Sequence, residues 1–210
     1  MLDVPALTRP FAAALIAGGR SRRMGQDKAW LEWQGRPLWQ AQVEKLHSLR
    51  PACLLVACRA EQELQAADCG LRNPEIEWVF DPPGEDRGPL PAIVRCLERV
   101  QLPLLVLAVD MPWMTAAFLQ EHVQAHLEHE RALFFGSEET FEPVAALYVP
   151  EMLPLMLDAL SDDQLSLQHI VRESVRRGFA ISRRIHEEHR RCFASTNTMP
   201  DWVHEKGRLL

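Results

Sequence analysis

At 210 residues, 47% hydrophobic and 25% charged, the chain can bury a full core as one domain, and no apolar run reaches the ~18 residues a membrane span needs. Its net charge of −6 argues against a general nucleic-acid binder, whose domain carries a basic face. Five cysteines, an odd number without a CxxC pair, argue against a disulfide framework or a zinc ribbon. No signal-peptide pattern opens the sequence, so the expected setting is reduced and cytoplasmic.

Taken in chain order, Phe11 to Ala17 has strand length and runs into Gly18-Gly19, where the chain can turn tightly and let another group approach the backbone. Arg20, Arg22, Arg23 and Lys28 follow within ten residues. Bare backbone N–H groups ringed by guanidinium and ammonium suit a polyphosphate. Helical patterns at Leu38 to Leu49, Glu61 to Ala67 and Pro89 to Val100 alternate with apolar runs at Ala52 to Ala57, Ile76 to Phe80 and Leu104 to Val109. Such alternation predicts βαβ units and a mostly parallel sheet covered on both faces. Beyond Asp110 come a helix from Thr115 to Glu130, with Thr115 as its N-cap, and strands at Ala132 to Phe135 and Val144 to Val149. Two further helices (Pro150 to Leu160, Leu167 to Arg176), a strand at Phe179 to Ile185 and a short terminal helix complete the reading. No repeat or linker interrupts it, so 1–210 is expected to be one α/β domain, doubly wound, with a nucleotide-binding half (9–112) and an acceptor-binding half (113–205).

Ligands of such sheets sit outside the carboxyl ends of the strands, which deliver Gly18-Gly19, Cys58-Arg59, Asp81 and Asp110. The first loop is neither a Walker A motif nor GxGxxG, and a Gly-Gly pair alone is equally a tight turn; the cations and the spacing to Lys28 favour phosphate. Asp110, ending "PLLVLAVD", is either a helix cap or a magnesium ligand, since this hard ion takes one or two carboxylates plus substrate phosphates. Asp81 either opens the turn at Pro82-Pro83-Gly84 or accepts hydrogen bonds from a base or ribose. Other features read more simply. His122, His126 and His129, and the pair His186 and His189, lack metal-ligand partners at fixed spacing. Trp30 and Trp33 either bracket a flat ring or pack, and packing is the commoner use.

The stretch "LIAGGRSRRMGQDKAWLEWQGRPLW" resembles the N-terminal motif of the bacterial molybdenum cofactor guanylyltransferases, which join GMP from GTP to molybdopterin and release pyrophosphate. Related sugar-phosphate and cytidylyl enzymes usually show AAG where this chain has Ala17-Gly18-Gly19. "VFDPP" around Asp81, "GPL" at Gly88 to Leu90, "VDMPWM" around Asp110, "EPVAALY" from Glu142 and "FASTNT" near the end extend the resemblance over roughly residues 9 to 205. It implies a Rossmann-like nucleotidyltransferase fold, with the backbone of Ile16, Ala17, Gly18 and Gly19 around the nucleotide and Arg23 and Lys28 as a cationic clamp. Asp81 then touches the guanosine, and Asp110 holds Mg2+; Arg23, Lys28 and Asp110 form the catalytic set. Val56 falls where the family often places a nucleotide-contacting Asn, and Pro143 and Asn197 fall on the acceptor side. The implied substrates are GTP and molybdopterin, with transient contact to molybdopterin-handling proteins and neither nucleic acid nor membrane as partner. Four departures fall among the parts that choose base and acceptor: Val56 cannot hydrogen-bond, Glu142 stands where His commonly precedes the Pro, Ser195 stands where the first Asn of an NxN motif is usual, and Pro91-Ala92 stand where a small residue and Gly are typical. Cytidylyl transfer, another acceptor phosphate and a non-catalytic nucleotide binder are therefore the alternatives.

Overall fold

The computed structural model describes residues 9–19, 25–67, 76–137 and 139–195. Its centre is strand β1, Ala12–Ile16, whose five residues are all buried. Small and branched apolar side chains with no polar alternation are what a strand covered on both faces requires. Alternate residues supply two separate cores. Ala13 and Leu15 face one, with helices α1 (Leu38–His47) and α3 (Ala116–His129); Ala12, Ala14 and Ile16 face the other, with α2 (Leu90–Val100), α4 (Leu153–Ser161) and α5 (Leu167–Arg176).

A two-stranded ribbon of β2 (Glu32–Trp33) and β3 (Arg36–Pro37) precedes α1. The main sheet adds β4 (Cys53–Arg59), β5 (Ile76–Asp81), β6 (Leu104–Ala108), β7 (Ala132–Phe135), β8 (Ala145–Tyr148) and β9 (Ala180–Arg183), in the order β5-β4-β1-β6-β8-β7-β9. After β1 the chain builds outward through β4 and β5, then returns to lay β6 on the other side of β1. The gap between β1 and β6 is therefore the topological switch point, where open α/β sheets bind ligands.

The expected α/β architecture is present, and one sheet runs through both halves of the chain. The boundaries of α3 follow its expected cap: Thr115 Oγ1 accepts from the Phe118 N–H at 3.2 Å. One detail lies beyond what the apolar pattern predicts, and one differs from expectation. Strand β8 is antiparallel to both neighbours, β6 and β7, which an apolar run cannot signal because direction is set by the connection and not by the strand's composition. The helix expected over Glu61 to Ala67 is two short 3-10 turns, Ala60–Gln62 and Leu64–Ala66, parted by Glu63 at φ 52°. Gln62 explains this break, because its side chain is drawn away from the helical face to hold the first loop.

Candidate active site at the sheet's switch point

The carboxyl ends of β1, β5 and β6 open onto a cavity of about 260 Å³ lined by Ile16, Gly18, Gly19, Lys28, Asp81, Glu85, Asp86, Arg87, Gly88, Pro89, Ala92, Ala108, Val109, Asp110 and Val144. Ile16, Gly18, Gly19, Lys28, Asp81 and Asp110, separated by up to 94 positions in the sequence, are thus gathered on one cavity. Its floor on one side is backbone held by neighbouring strands. The Ile16 carbonyl accepts from Val109 N–H at 3.0 Å, and Ala17 N–H donates to the Ala57 carbonyl at 2.8 Å.

Past β1 the glycine loop is fastened by side chains from elsewhere. Gln62 Nε2 donates to the Ala17 carbonyl at 2.9 Å, and Arg59 Nε donates to the Gly18 carbonyl at 2.9 Å. Both then converge on Asp27, whose carboxylate accepts from Arg59 at 2.6 Å, from Gln62 at 3.1 Å and from the Ala29 N–H at 3.0 Å. With the carbonyls of Ile16, Ala17 and Gly18 occupied, no partner among the described residues takes the amide N–H of Gly18 or Gly19. The loop so built offers donors, as an anion site requires.

Asp27 also begins the 3-10 turn Lys28–Trp30 and so fixes where Lys28 points. Lys28 Nζ lies 2.9 Å from Asp110 Oδ2, and both residues line the cavity, with side chains 14% and 25% exposed. Below Asp110 the loop after β6 rests on a buried amide. Gln42 Nε2, on α1, donates to the Met111 carbonyl at 2.8 Å and reaches the Val109 carbonyl at 3.3 Å. Lys45 Nζ donates to Gln42 Oε1 at 2.6 Å and to the Pro112 carbonyl at 3.2 Å. Burial lowers the Lys45 pKa to about 8.

Asp81 is held from another direction. Arg95, on α2, pairs with Asp81 Oδ1 through one guanidinium nitrogen and with Glu85 Oε2 at 3.0 Å through another. Burial pushes the Asp81 carboxyl above the usual range, against the pull of Arg95. Its second oxygen is packed onto the glycine loop: a Cβ placed on Gly18 would fall 2.1 Å from Asp81 Oδ2. No side chain fits at position 18 while Asp81 is in this position.

Not every expected residue arrives. Val56 is fully buried in the core beside β1 and is not among the residues that line the cavity. Ala17 contributes its backbone while its methyl is buried. Pro143 is outside the lining; its carbonyl accepts from the Tyr148 hydroxyl at 2.8 Å, and the next residue, Val144, is the one that reaches the cavity. Arg23 and Asn197 lie outside the described residues. The expected positive character is also modified: among the described residues the lining has Lys28 and Arg87 against Asp81, Glu85, Asp86 and Asp110. Trp30 and Trp33 pack edge-on against Trp39 and Trp113 and bracket no open slot.

Sequence reasoning missed Asp27, Gln42, Gln62 and Arg95, all of which hold other site residues in place. Asp27 was visible inside the quoted motif; the other three lie on segments that carry only a helical or turn signal. No group of three or more His, Cys, Asp or Glu positioned to hold a metal ion by itself occurs among the described residues, and no described helix is long and apolar enough to cross a membrane.

Comparison with known proteins agrees with this geometry. A family model described as a MobA-like NTP transferase domain matches residues 13–178. A probable molybdenum cofactor guanylyltransferase of Opitutus terrae is 31% identical over 202 residues, covering 94% of this chain and 96% of the relative. One from Synechococcus elongatus is 32% identical over 164 residues, 75% of this chain and 81% of its own length. Among solved structures, molybdopterin-guanine dinucleotide biosynthesis protein A from Archaeoglobus fulgidus superposes with a TM-score of 0.72 at 20% identity, covering 95% of this chain and 100% of that one. A nucleotidyl transferase from Methanothermobacter thermautotroptrophicus gives 0.73 at 16% identity, covering 95% and 97%. At these identities the structural likenesses establish the fold.

Proposed function

Since the chain belongs to the MobA-like NTP transferase family and is a nucleotidyltransferase, we propose that it transfers GMP from GTP to the phosphate of molybdopterin, releasing pyrophosphate. The observation that carries this reading is the Lys28–Asp110 pair lining the same cavity as the donor-bearing Gly18-Gly19 loop. A curated relative that bears the guanylyltransferase name and is aligned over nearly the whole chain supports this choice of base and acceptor.

The reaction forms a bond between an oxygen of the acceptor phosphate and the α-phosphorus of GTP, and breaks the bond from that phosphorus to the bridging oxygen of the leaving pyrophosphate. A phosphate monoester has a second pKa of about 6, so at neutral pH the acceptor already carries the negative oxygen it needs. No residue is required to take a proton. The chain's task is to bring two anions together and offset charge as it grows on the leaving group. In this reading the Gly18 and Gly19 amides receive phosphate oxygens, and Lys28, held by the Asp27 turn, moves part of its interaction from Asp110 to the substrate phosphates. Asp81, packed beside the glycine loop, positions the nucleoside.

Mg2+ fits the donor set. One hard carboxylate, Asp110, stands where substrate phosphates would supply the remaining oxygens, the arrangement this ion favours over an all-protein cage. Held by Asp110, Mg2+ would supply charge neutralisation for the departing pyrophosphate.

Anaerobic incubation of the protein with molybdopterin and each of GTP and CTP, with and without magnesium, followed by pyrophosphate release and mass analysis of the product, tests the reading. A guanine dinucleotide product that requires magnesium is expected. A cytosine dinucleotide replaces the proposed base, and pyrophosphate release only with another acceptor phosphate replaces molybdopterin.

A further inference from the structure

Asp81 has a companion that the reaction itself does not call for. Arg95 projects from the second turn of α2 to the end of β5 and bridges two carboxylates, Asp81 and Glu85, both of which line the cavity. The two oxygens of Asp81 are then fixed separately. Oδ1 is taken by the guanidinium, while Oδ2 is pressed over the bare Cα of Gly18, the loop assigned above to the nucleotide. A carboxylate free to rotate would present either oxygen, or neither, to a ligand. This one has a single orientation.

A guanidinium fork suits this task better than a lysine, because its planar donors address two acceptors at set angles. It also opposes burial, which pushes that carboxyl above the usual range. Glu85 completes the device by holding the guanidinium from the far side.

We propose that Arg95 is the positioning residue for nucleoside recognition, holding Asp81 by Oδ1 so that Oδ2 accepts a hydrogen bond from the nucleoside of the substrate at the Gly18 loop. This rests on the reading of the cavity as a nucleotide site and holds whether the hydrogen comes from guanine or from ribose. Arg95 would thereby determine discrimination between nucleosides while touching none of them.

Dissociation constants for GTP, inosine triphosphate, 2′,3′-dideoxy-GTP and CTP with the wild-type protein, Arg95→Met, Arg95→Lys and Asp81→Asn test this. Inosine triphosphate lacks the guanine 2-amino group and dideoxy-GTP lacks the ribose hydroxyls, so the wild-type penalty against one or the other identifies the hydrogen that Asp81 accepts. Arg95→Met is expected to weaken the preferred nucleotide roughly tenfold, the scale of one charge-assisted hydrogen bond, and to collapse that penalty. Arg95→Lys should recover much of it, and Asp81→Asn combined with Arg95→Met should cost little more than either change alone. The Arg95 side chain is 27% exposed, so the variants are expected to fold, and thermal melts are recorded beside each titration. A penalty retained in Arg95→Met, with only a lower melting temperature, would overturn the proposal by making Arg95 purely structural. Wild-type preference for CTP overturns guanine as the base and leaves the Arg95 comparison to be made on CTP; wild-type binding of none of the four overturns both readings.

Discussion

Two aspartates face the same cavity and are held in opposite ways. Asp81 is pinned by a guanidinium on a helix that also grips Glu85, with its free oxygen packed against a glycine. Asp110 shares a 2.9 Å contact with Lys28, whose base is the short turn opened by Asp27, and its side chain is the more exposed of the two, 25% against 14%. The first arrangement resists change and suits a group that must recognise; the second can exchange partners and suits a group that must meet incoming phosphates. Fixing and exchanging are different physical demands, and the fold meets them with a helix-borne fork at Asp81 and a loop-borne ammonium at Asp110.

The comparison breaks most visibly at Asp110. Replacing it with alanine is expected to lower turnover at least 10²-fold, the scale of losing a principal electrostatic contact in a transition state, while the melting temperature changes by only a few degrees. Steady-state pyrophosphate release checks the first and a thermal melt the second. If turnover survives, Asp110 is structural and the two aspartates do not differ in the way described. Lys28→Ala should cost tens of fold in the same assay; a twofold loss would leave the ammonium as a mere neighbour of Asp110.

The support beneath Asp110 sharpens the contrast through pH. Burial holds the Lys45 pKa at about 8 in the folded protein, against 10.5 when unfolded. Between these values the unfolded chain binds the extra proton, so the contribution of Lys45 makes the protein more stable as pH rises, by about 3 kcal/mol across the window. Buried Cys58 and Cys96, pushed up to about 12, act in the opposite sense. The difference between wild type and Lys45→Met in urea unfolding at pH 7.5 and 9.5 isolates the lysine, and the variant is expected to lose the upward slope. The smallest effect belongs to the rim. Arg87 lines the cavity but pairs with Asp163, whose side chain is 79% exposed, so Asp163→Asn should alter stability by less than about 1 kcal/mol and nucleotide affinity by less than twofold.

How much of this could be read in the sequence follows the range of each interaction. The strand ends were legible because apolar runs and glycines are local signals, and they placed Gly18, Gly19, Asp81 and Asp110 on one sheet edge without any contact being known. Lys28 was legible by its spacing from the glycines. Arg95 was not, since a cation in the middle of a helical pattern reads as solvated surface until β5 is known to lie beside α2. The burial of Val56 was not legible, because alignment to a motif fixes a position along the strand but not which face its side chain occupies. Gln62 was hidden for a further reason: its local segment has helical composition, and only the bonds to Ala17 and Asp27 show why that segment does not complete a helix.

The missing side chain at Gly18 has an evolutionary corollary. Space that a methyl group would fill is occupied by an oxygen contributed from 63 positions further along the chain, so the two sites cannot drift independently. A descendant that acquires alanine at 18 must first turn or surrender the carboxylate at 81, and with it the recognition proposed for that carboxylate. The second residue of the Ala-Gly-Gly signature is therefore half of a heritable pair, and across relatives a change at either position should be found together with a change at the other.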